Sequence, residues 1–421
     1  MRMRCRLVLV GLVGLFSAGL NSCSTTKGNG TNVGTGFMWV ATQGDQMVTS
    51  YTINLTTGAT AQVGKSVATG LAPIAVAITP AGDALFIANR DDNTISSYAL
   101  KSDGSLTAGS STSTRVVSPS GCTTGCTATL GQTPVALAVD PAGKFLFVAG
   151  QGTLVDPTVP GTVSVFSISG TTLTPVGPAC PTNYSQSICP VVVTIPSSTL
   201  GTGPSGLAVS PVGGFLYVAD QFTSTVTILS YDSSGTLTQD LSSPITAGTN
   251  PTGLAFSRCA GTTATSTNCP TAAPLSYLFV ANTGSNDIGI FSACIQVTAA
   301  CASANGTLTQ ITGLPVGAGT HPVSFIVNPA RDLVYAVDNG SFQVSEYQYS
   351  SATGVLSALS PATISTGASP LQGGITSNGN WVFVPNNGGS SLSAYGVGSA
   401  GQLTVGSAIT LLGQPSAVLI R

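Results

Sequence analysis

Charge is scarce in this 421-residue chain: 12 Lys and Arg stand against 14 Asp and Glu, and only 6% of residues are ionic. No basic run exists, so the clustered Lys and Arg that hold a phosphate backbone are missing and nucleic acid is excluded as a partner. Histidine occurs once, as His321, and glutamate once, as Glu346. A single histidine leaves no H-E-x-x-H helix or histidine pair for zinc, and confines any Ser-His-Asp arrangement to His321. There is no G-x-S-x-G elbow, and no P-loop or dinucleotide fingerprint in a strand-to-helix setting. Aromatic residues make up only 6% of the chain. The apolar stretch from Leu7 to Leu20 is too short to cross a bilayer comfortably.

What is present begins with a targeting segment. Arg2, Arg4 and Arg6 precede the apolar stretch, which reads as a signal sequence over residues 1–22. Leu20-Asn21-Ser22-Cys23 resembles the bacterial lipoprotein signal, although Asn21 is unusual at its place in that motif. The resemblance implies that Cys23 is acylated and becomes the first residue of an exported, membrane-anchored protein. Several acyl chains on one residue hold a protein stably on a membrane, where one alone is marginal. Ser24, rather than Asp, resembles lipoproteins sent to the outer membrane, facing the periplasm or the cell surface. Residues 23–36, rich in Gly, Ser, Thr and Asn, read as a flexible tether. Without the three leader arginines, nine basic residues face fourteen acidic ones.

Cys5 leaves with the leader, and eight of the other cysteines fall in near-neighbour pairs: Cys122/Cys126, Cys180/Cys189, Cys259/Cys269 and Cys294/Cys301. In an oxidising compartment such pairs read as loop-closing disulfides. Zinc is the rival reading, but two matched C-x-x-C pairs are absent.

Aligned on itself, the chain shows a unit repeated seven times over residues 37–421. A proline opens an alternating apolar run, as in Pro73-Ile-Ala-Val-Ala-Ile, and recurs at Pro134, Pro204, Pro251, Pro322, Pro370 and Pro415. A turn follows, then a strand ending in a triplet such as Ile87-Ala88-Asn89 or Val280-Ala281-Asn282. After a polar loop comes another strand and a turn whose glycine recurs at Gly58, Gly104, Gly170, Gly235, Gly306, Gly354 and Gly401. Each unit thus carries four short antiparallel strands, termed A to D. One such sheet cannot bury both faces alone, and closing the units into a ring removes the exposed edges. The expected fold is all-β, a seven-bladed propeller. The chain opens with strands B, C and D and closes with a lone strand A from Pro415 to Ile420, so head and tail together complete one blade.

The motifs Phe86-Ile-Ala-Asn89, Leu146-Phe-Val-Ala149 and Leu278-Phe-Val-Ala-Asn282, with the Asp-Gly-Ser-Leu-Thr turn at Asp103, resemble the YVTN-type repeats and the lactonase family of seven-bladed propellers. A named member of that family is bacterial 6-phosphogluconolactonase. The resemblance implies the propeller fold and, as one possible activity, lactone hydrolysis.

Propeller geometry gathers the B–C loops and the D–A connections on one face. Asp45, Asp91, Asp92, Asp156, Asp220, Asp287 and Asp338 fall there with Arg90 and Asn386, and His321 stands just before a strand A. Two readings stay open. In one, the rim binds a ligand through Asp45, Arg90, Asp91, Asp92, Asp220, Asp287 and Asn386, with His321 and Asp338 as catalytic candidates and Ca²⁺ as a conceivable occupant. In the other, Asp and Asn end strands because their side chains satisfy loop amides. A phosphorylated lactone needs basic groups to hold it, and only Arg90 and His321 lie near that mouth. The expectation is a cell-envelope binding module for a small molecule, glycan or protein, with no cofactor. A lactone hydrolase and a structural surface protein are the alternatives.

Overall fold

The computed structural model describes residues 34–114, 133–151, 161–176, 192–194, 203–240, 242–258, 276–296, 301, 304–311 and 315–421. Cys23, Cys122, Cys126, Cys180, Cys189, Cys259, Cys269 and Asp156 lie outside the described residues. Seven antiparallel sheets, each led by a strand A and followed by B, C and D, make a seven-bladed propeller. The second blade is typical: Pro73–Ile78, Ala84–Asn89, Thr94–Leu100 and Leu106–Ser113. The repeat prolines open strand A in six blades; Pro370 makes one bridge to Asn386, and its strand resumes only at Gly374–Ile375. A proline at a strand's first residue costs no ladder donor, which explains its place in the repeat.

Strand B lies inside each sheet and is covered on both faces, so it is apolar at nearly every position. In Thr35–Thr42, Met38 and Val40 pack with Phe383 and Leu392 of the seventh blade. The alternate residues Trp39 and Ala41 pack with Leu85, Ile87 and Tyr98 of the second. Successive side chains point to opposite sides, so one strand serves two blade interfaces. Burying each large side chain contributes roughly 1.5–3 kcal/mol.

The recurring turn glycines belong to the same interfaces. Gly306 has φ +77°, a region that favours glycine, and a Cβ there would lie 2.4 Å from the Phe215 ring of the preceding blade. Tyr217 of that blade also donates its hydroxyl to the Gly306 carbonyl at 2.7 Å. Trp39 to Gly104 (3.0 Å) and Tyr335 to Gly401 (2.7 Å) repeat this tie.

The ring closes as the termini of the repeat require. Pro415–Ile420 pairs antiparallel with the first strand, with Met38 opposite Ile420 and Val40 opposite Val418. That first strand begins at Thr35, two residues ahead of Phe37. Closure is reinforced away from the strands: Trp381 of the seventh blade covers Gly58 of the first, and Asn378 donates to the Leu55 carbonyl at 3.1 Å. Cys294 and Cys301 form a disulfide, as their spacing suggests.

Candidate functional site at the channel mouth

The B–C loops and D–A connections do share one face, and a single bond repeated seven times joins them. The first residue after strand B donates its amide to the carbonyl of the residue before the repeat proline. The pairs are Gln43 to Gln414, Arg90 to Ala72, Gln151 to Thr133, Gln221 to Gly203, Thr283 to Asn250, Asn339 to His321 and Asn387 to Ser369, at 2.8–3.0 Å. Six of those acceptors have positive φ: Ala72, Thr133, Gly203, Asn250, His321 and Ser369. His321 thus occupies a structural position of the repeat. Its amide donates to the Asn286 carboxamide of the preceding blade at 2.8 Å. The imidazole is exposed beside Gly340 and makes no hydrogen bond or ion pair among the described residues.

The last residue of strand B forms a second repeated device. Asn89 is fully buried; it donates to the Thr94 and Ser96 hydroxyls (both 2.9 Å) and accepts the Gly70 amide at 3.1 Å. Asn386 does the same with Ser391, Ser393 and the Gly367 amide. A side chain on Gly70 or Gly367 would strike the buried carboxamide, which explains a glycine three residues before each of those prolines. In the fourth and sixth blades the position carries Asp220 and Asp338, both fully buried. Each accepts one hydroxyl at 2.6 Å, from Thr227 and Ser345, while its other oxygen has no partner. Burial raises their pKa values, Asp220 to about 7 and Asp338 to about 6. Asp338, considered above as a catalytic group, is therefore closed off beneath the face that carries the exposed His321.

The rim acids are engaged locally. Asp92 accepts the Leu71 amide (2.9 Å) and the Thr94 hydroxyl (2.8 Å), Asp287 accepts from Asn282 at 2.7 Å, and Asp45 accepts from Thr42. Arg90 and Asp91 form an exposed ion pair at 2.9 Å. Among the described residues no three of His, Cys, Asp or Glu converge as a cation site.

The concavity itself lies on the axis. In six blades the register shifts across the residue after the leading proline. Those bulged positions, Ile74, Val135, Ser205, Thr252, Val323 and Ser416, line a central cavity of about 180 Å³ together with Leu371 and Gln372. Its wall is aliphatic, hydroxyl and amide with one aromatic residue, Phe325, and among the described residues no charged one contributes to it. Much of the hydroxyl capacity is spent on the ring: Ser205 donates to the Pro251 carbonyl at 2.8 Å, and the Thr252 and Thr283 hydroxyls lie 2.6 Å apart below Pro322. Ser324 is buried in the wall with its hydroxyl unpartnered. Sequence reasoning pointed to the charged rim and missed this lining, although the residue after each repeat proline was a readable signal.

Fold and site together define a seven-bladed propeller with an uncharged axial channel. The family model for the lactonase seven-bladed β-propellers matches residues 34–123 and 292–415, and the chain belongs to that family. Among solved structures, a candidate 6-phosphogluconolactonase of Bacteroides uniformis superposes with a TM-score of 0.67 at 16% identity, over 92% of this chain and 100% of that one. The periplasmic gluconolactonase PpgL of Pseudomonas aeruginosa gives 0.66 at 16% identity, over 92% and 99%. A Lactobacillus plantarum protein gives 0.65 at 18% identity, over 92% and 99%. At such identities these likenesses establish the fold. No curated protein matches the chain.

Proposed function

We propose that the chain is an exported, lipid-anchored propeller of the cell envelope that binds an uncharged ligand at the channel mouth and does not hydrolyse it. The observation that carries this reading is the channel wall, where hydroxyl, amide and apolar groups, Phe325 among them, meet no acid, base or cation among the described residues. Hydrolysis of a lactone needs a base within hydrogen-bond reach of a water and donors aimed at the developing oxyanion. The two buried carboxylates nearest the face, Asp220 and Asp338, are held by Thr227 and Ser345 beneath the loops. A wall of this kind suits a glycan or another neutral partner, held by hydroxyl and amide contacts. Anchoring at Cys23 follows from the leader and is tested by a Cys23→Ser variant, which is expected to leave the membrane fraction.

Lactone hydrolysis is the second reading, favoured by membership of the lactonase family and by the exposed His321 on the channel face. The purified full-length chain, assayed on phosphorylated and unphosphorylated sugar lactones, separates the two. Hydrolysis well above the buffer rate that disappears in His321→Ala would establish the enzyme and end the binding-only reading. Rates at the buffer level on every lactone are the expected result.

A further inference from the structure

Six of the seven innermost strands keep one pattern behind the leading proline, and the seventh breaks it. The second residue after that proline is small in six blades: Ala75, Ala136, Gly206, Gly253, Ser324 and Ala417. Space explains this. A Cβ on Gly206 would lie 2.1 Å from the Thr252 carbonyl of the next blade, and one on Gly253 would lie 2.5 Å from that of Val323. The seventh blade carries Gln372 at this place. The residue after it, bulky and apolar elsewhere as in Val76, Leu207 or Phe325, is Gly373.

A third departure lies in register with these two. The strand B partner of the small residue is alanine in five blades and valine in one. In the seventh blade the matching residue is Pro385. Its carbonyl accepts the Leu371 amide at 2.9 Å, so the N–H that proline lacks would also have pointed at strand A. A proline inside a central strand interrupts its ladder. After the Pro370–Asn386 bridge, pairing resumes only at Gly374 opposite Phe383. The gap falls where the chain lines the axis.

Gln372 thereby reaches the channel. Among the described residues it is the one exposed member of the cavity lining, and its carboxamide makes no hydrogen bond. The chemistry around it narrows the guest. An ion would enter without a counter-charge, because no charged residue among those described lines the cavity. A wholly apolar guest would strip water from the carboxamide and return no bond. The carboxamide offers an acceptor oxygen and an NH₂ donor side by side. Hydroxyls on adjacent carbons answer both, one donating to the oxygen and the other accepting from the nitrogen. Three blades away, Ser205 spends its proton on the Pro251 carbonyl, so its free lone pairs also call for a donor. The volume of about 180 Å³ lies below the range of about 300–1,000 Å³ usual for larger ligands, so the guest is small or only its end enters.

We propose that Gln372 is the anchor that selects the channel's ligand, and that this ligand is a small neutral polyol, free or as the end of a glycan. The inference rests on the binding reading of the channel given above.

The test is titration calorimetry of the full-length chain in detergent with erythritol, methyl glucoside and a short oligosaccharide ending in glucose, with acetamide and acetate as controls. One saturable polyol site per chain is expected, weakened about tenfold or more by Gln372→Ala and by Gln372→Glu. The melting temperature should hold in both, because the side chain ties down no other described residue. Pro385→Ala, which returns the missing amide to the ladder, is expected to weaken binding while the melting temperature holds or rises. Saturation by the oligosaccharide alone would identify a glycan end, and saturation by erythritol as well a free polyol. Binding that Val135→Phe abolishes by filling the cavity, but that both Gln372 variants leave intact, would keep the channel reading and overturn the anchor. Tighter binding of acetamide or acetate than of any polyol would overturn the ligand class. No saturable binding of any probe would end both readings.

Discussion

Asn339 donates its amide to the carbonyl of His321 at 2.9 Å, and the same bond ties the B–C loop to the D–A connection in all seven blades. It places the chain's only histidine at a point where the repeat elsewhere uses Ala72, Thr133, Gly203, Asn250, Ser369 or Gln414. The backbone at this point matters to the fold in every blade; the imidazole belongs to one blade only.

His321 has φ +52°, an arrangement a non-glycine residue adopts at a cost of roughly 1 kcal/mol. His321→Gly is therefore expected to hold or raise the melting temperature, and His321→Val to lower stability by about 1 kcal/mol. Thermal unfolding checks both. A large loss on His321→Gly would mean that the ring carries a packing role its exposure does not suggest.

Asp220 and Asp338 set a pH dependence. Both carboxyls titrate higher in the folded chain, near 7 and near 6, than the ordinary value of 3.8. At these two sites the folded state then binds more protons than the unfolded one, so their contribution to stability is greatest below about pH 4 and is lost as pH rises to about 7. Every tenfold gain in proton affinity on folding corresponds to about 1.4 kcal/mol. Asp220→Asn and Asp338→Asn, which copy the Asn89 and Asn386 devices, are expected to remove their share of that fall, leaving the part due to the buried Glu346, and to stabilise the chain at pH 8 by on the order of 2 kcal/mol each. Denaturant titrations at pH 5 and pH 8 read it; equal gains at both pH values would show that the carboxylate charge is not the cause.

Gly306 joins a positive φ to a close approach. Gly306→Ala forces a Cβ into the Phe215 ring and strains the turn whose carbonyl holds Tyr217. A loss of about 2 kcal/mol or more is expected. Gly170, whose φ is +57° but which has open space around it, is the control. Gly170→Ala should cost only the backbone strain, about 1 kcal/mol. Similar losses at the two sites would remove the blade-to-blade contact from the explanation.

Val418 sits where head and tail meet, opposite Val40 and packed with Met38 and Phe383. Val418→Asp buries an unpaired carboxylate at the closing seam, at a cost of several kcal/mol. The variant should unfold at markedly lower temperature and become sensitive to proteolysis between Thr35 and Ala68 first. Unchanged melting would show that Trp381 over Gly58 closes the ring without the strand.

The ring was legible because each of its determinants is local and repeated. Proline at the head of strand A, an apolar strand B, and a glycine at the C–D turn each answer a backbone or packing demand that recurs in every blade. The missing strand A at one end and the lone strand A at the other needed no coordinates to be matched. Individual site residues were less legible. In the sequence Asp220 and Asn386 look like rim ligands and Asp338 like a catalytic group because they end strands in polar loops, whereas their burial is visible only in the fold.

The chain by itself determined the number of blades, their strand order and the way the circle closes, since hydrophobic alternation and turn chemistry are written in neighbouring residues. Only the folded ring decided what faces what. Tyr217 on the Gly306 carbonyl, Trp381 over Gly58 and Asn378 on the Leu55 carbonyl each join residues of different blades. Those contacts arise from how separate sheets are set against one another, and no spacing along the chain records that.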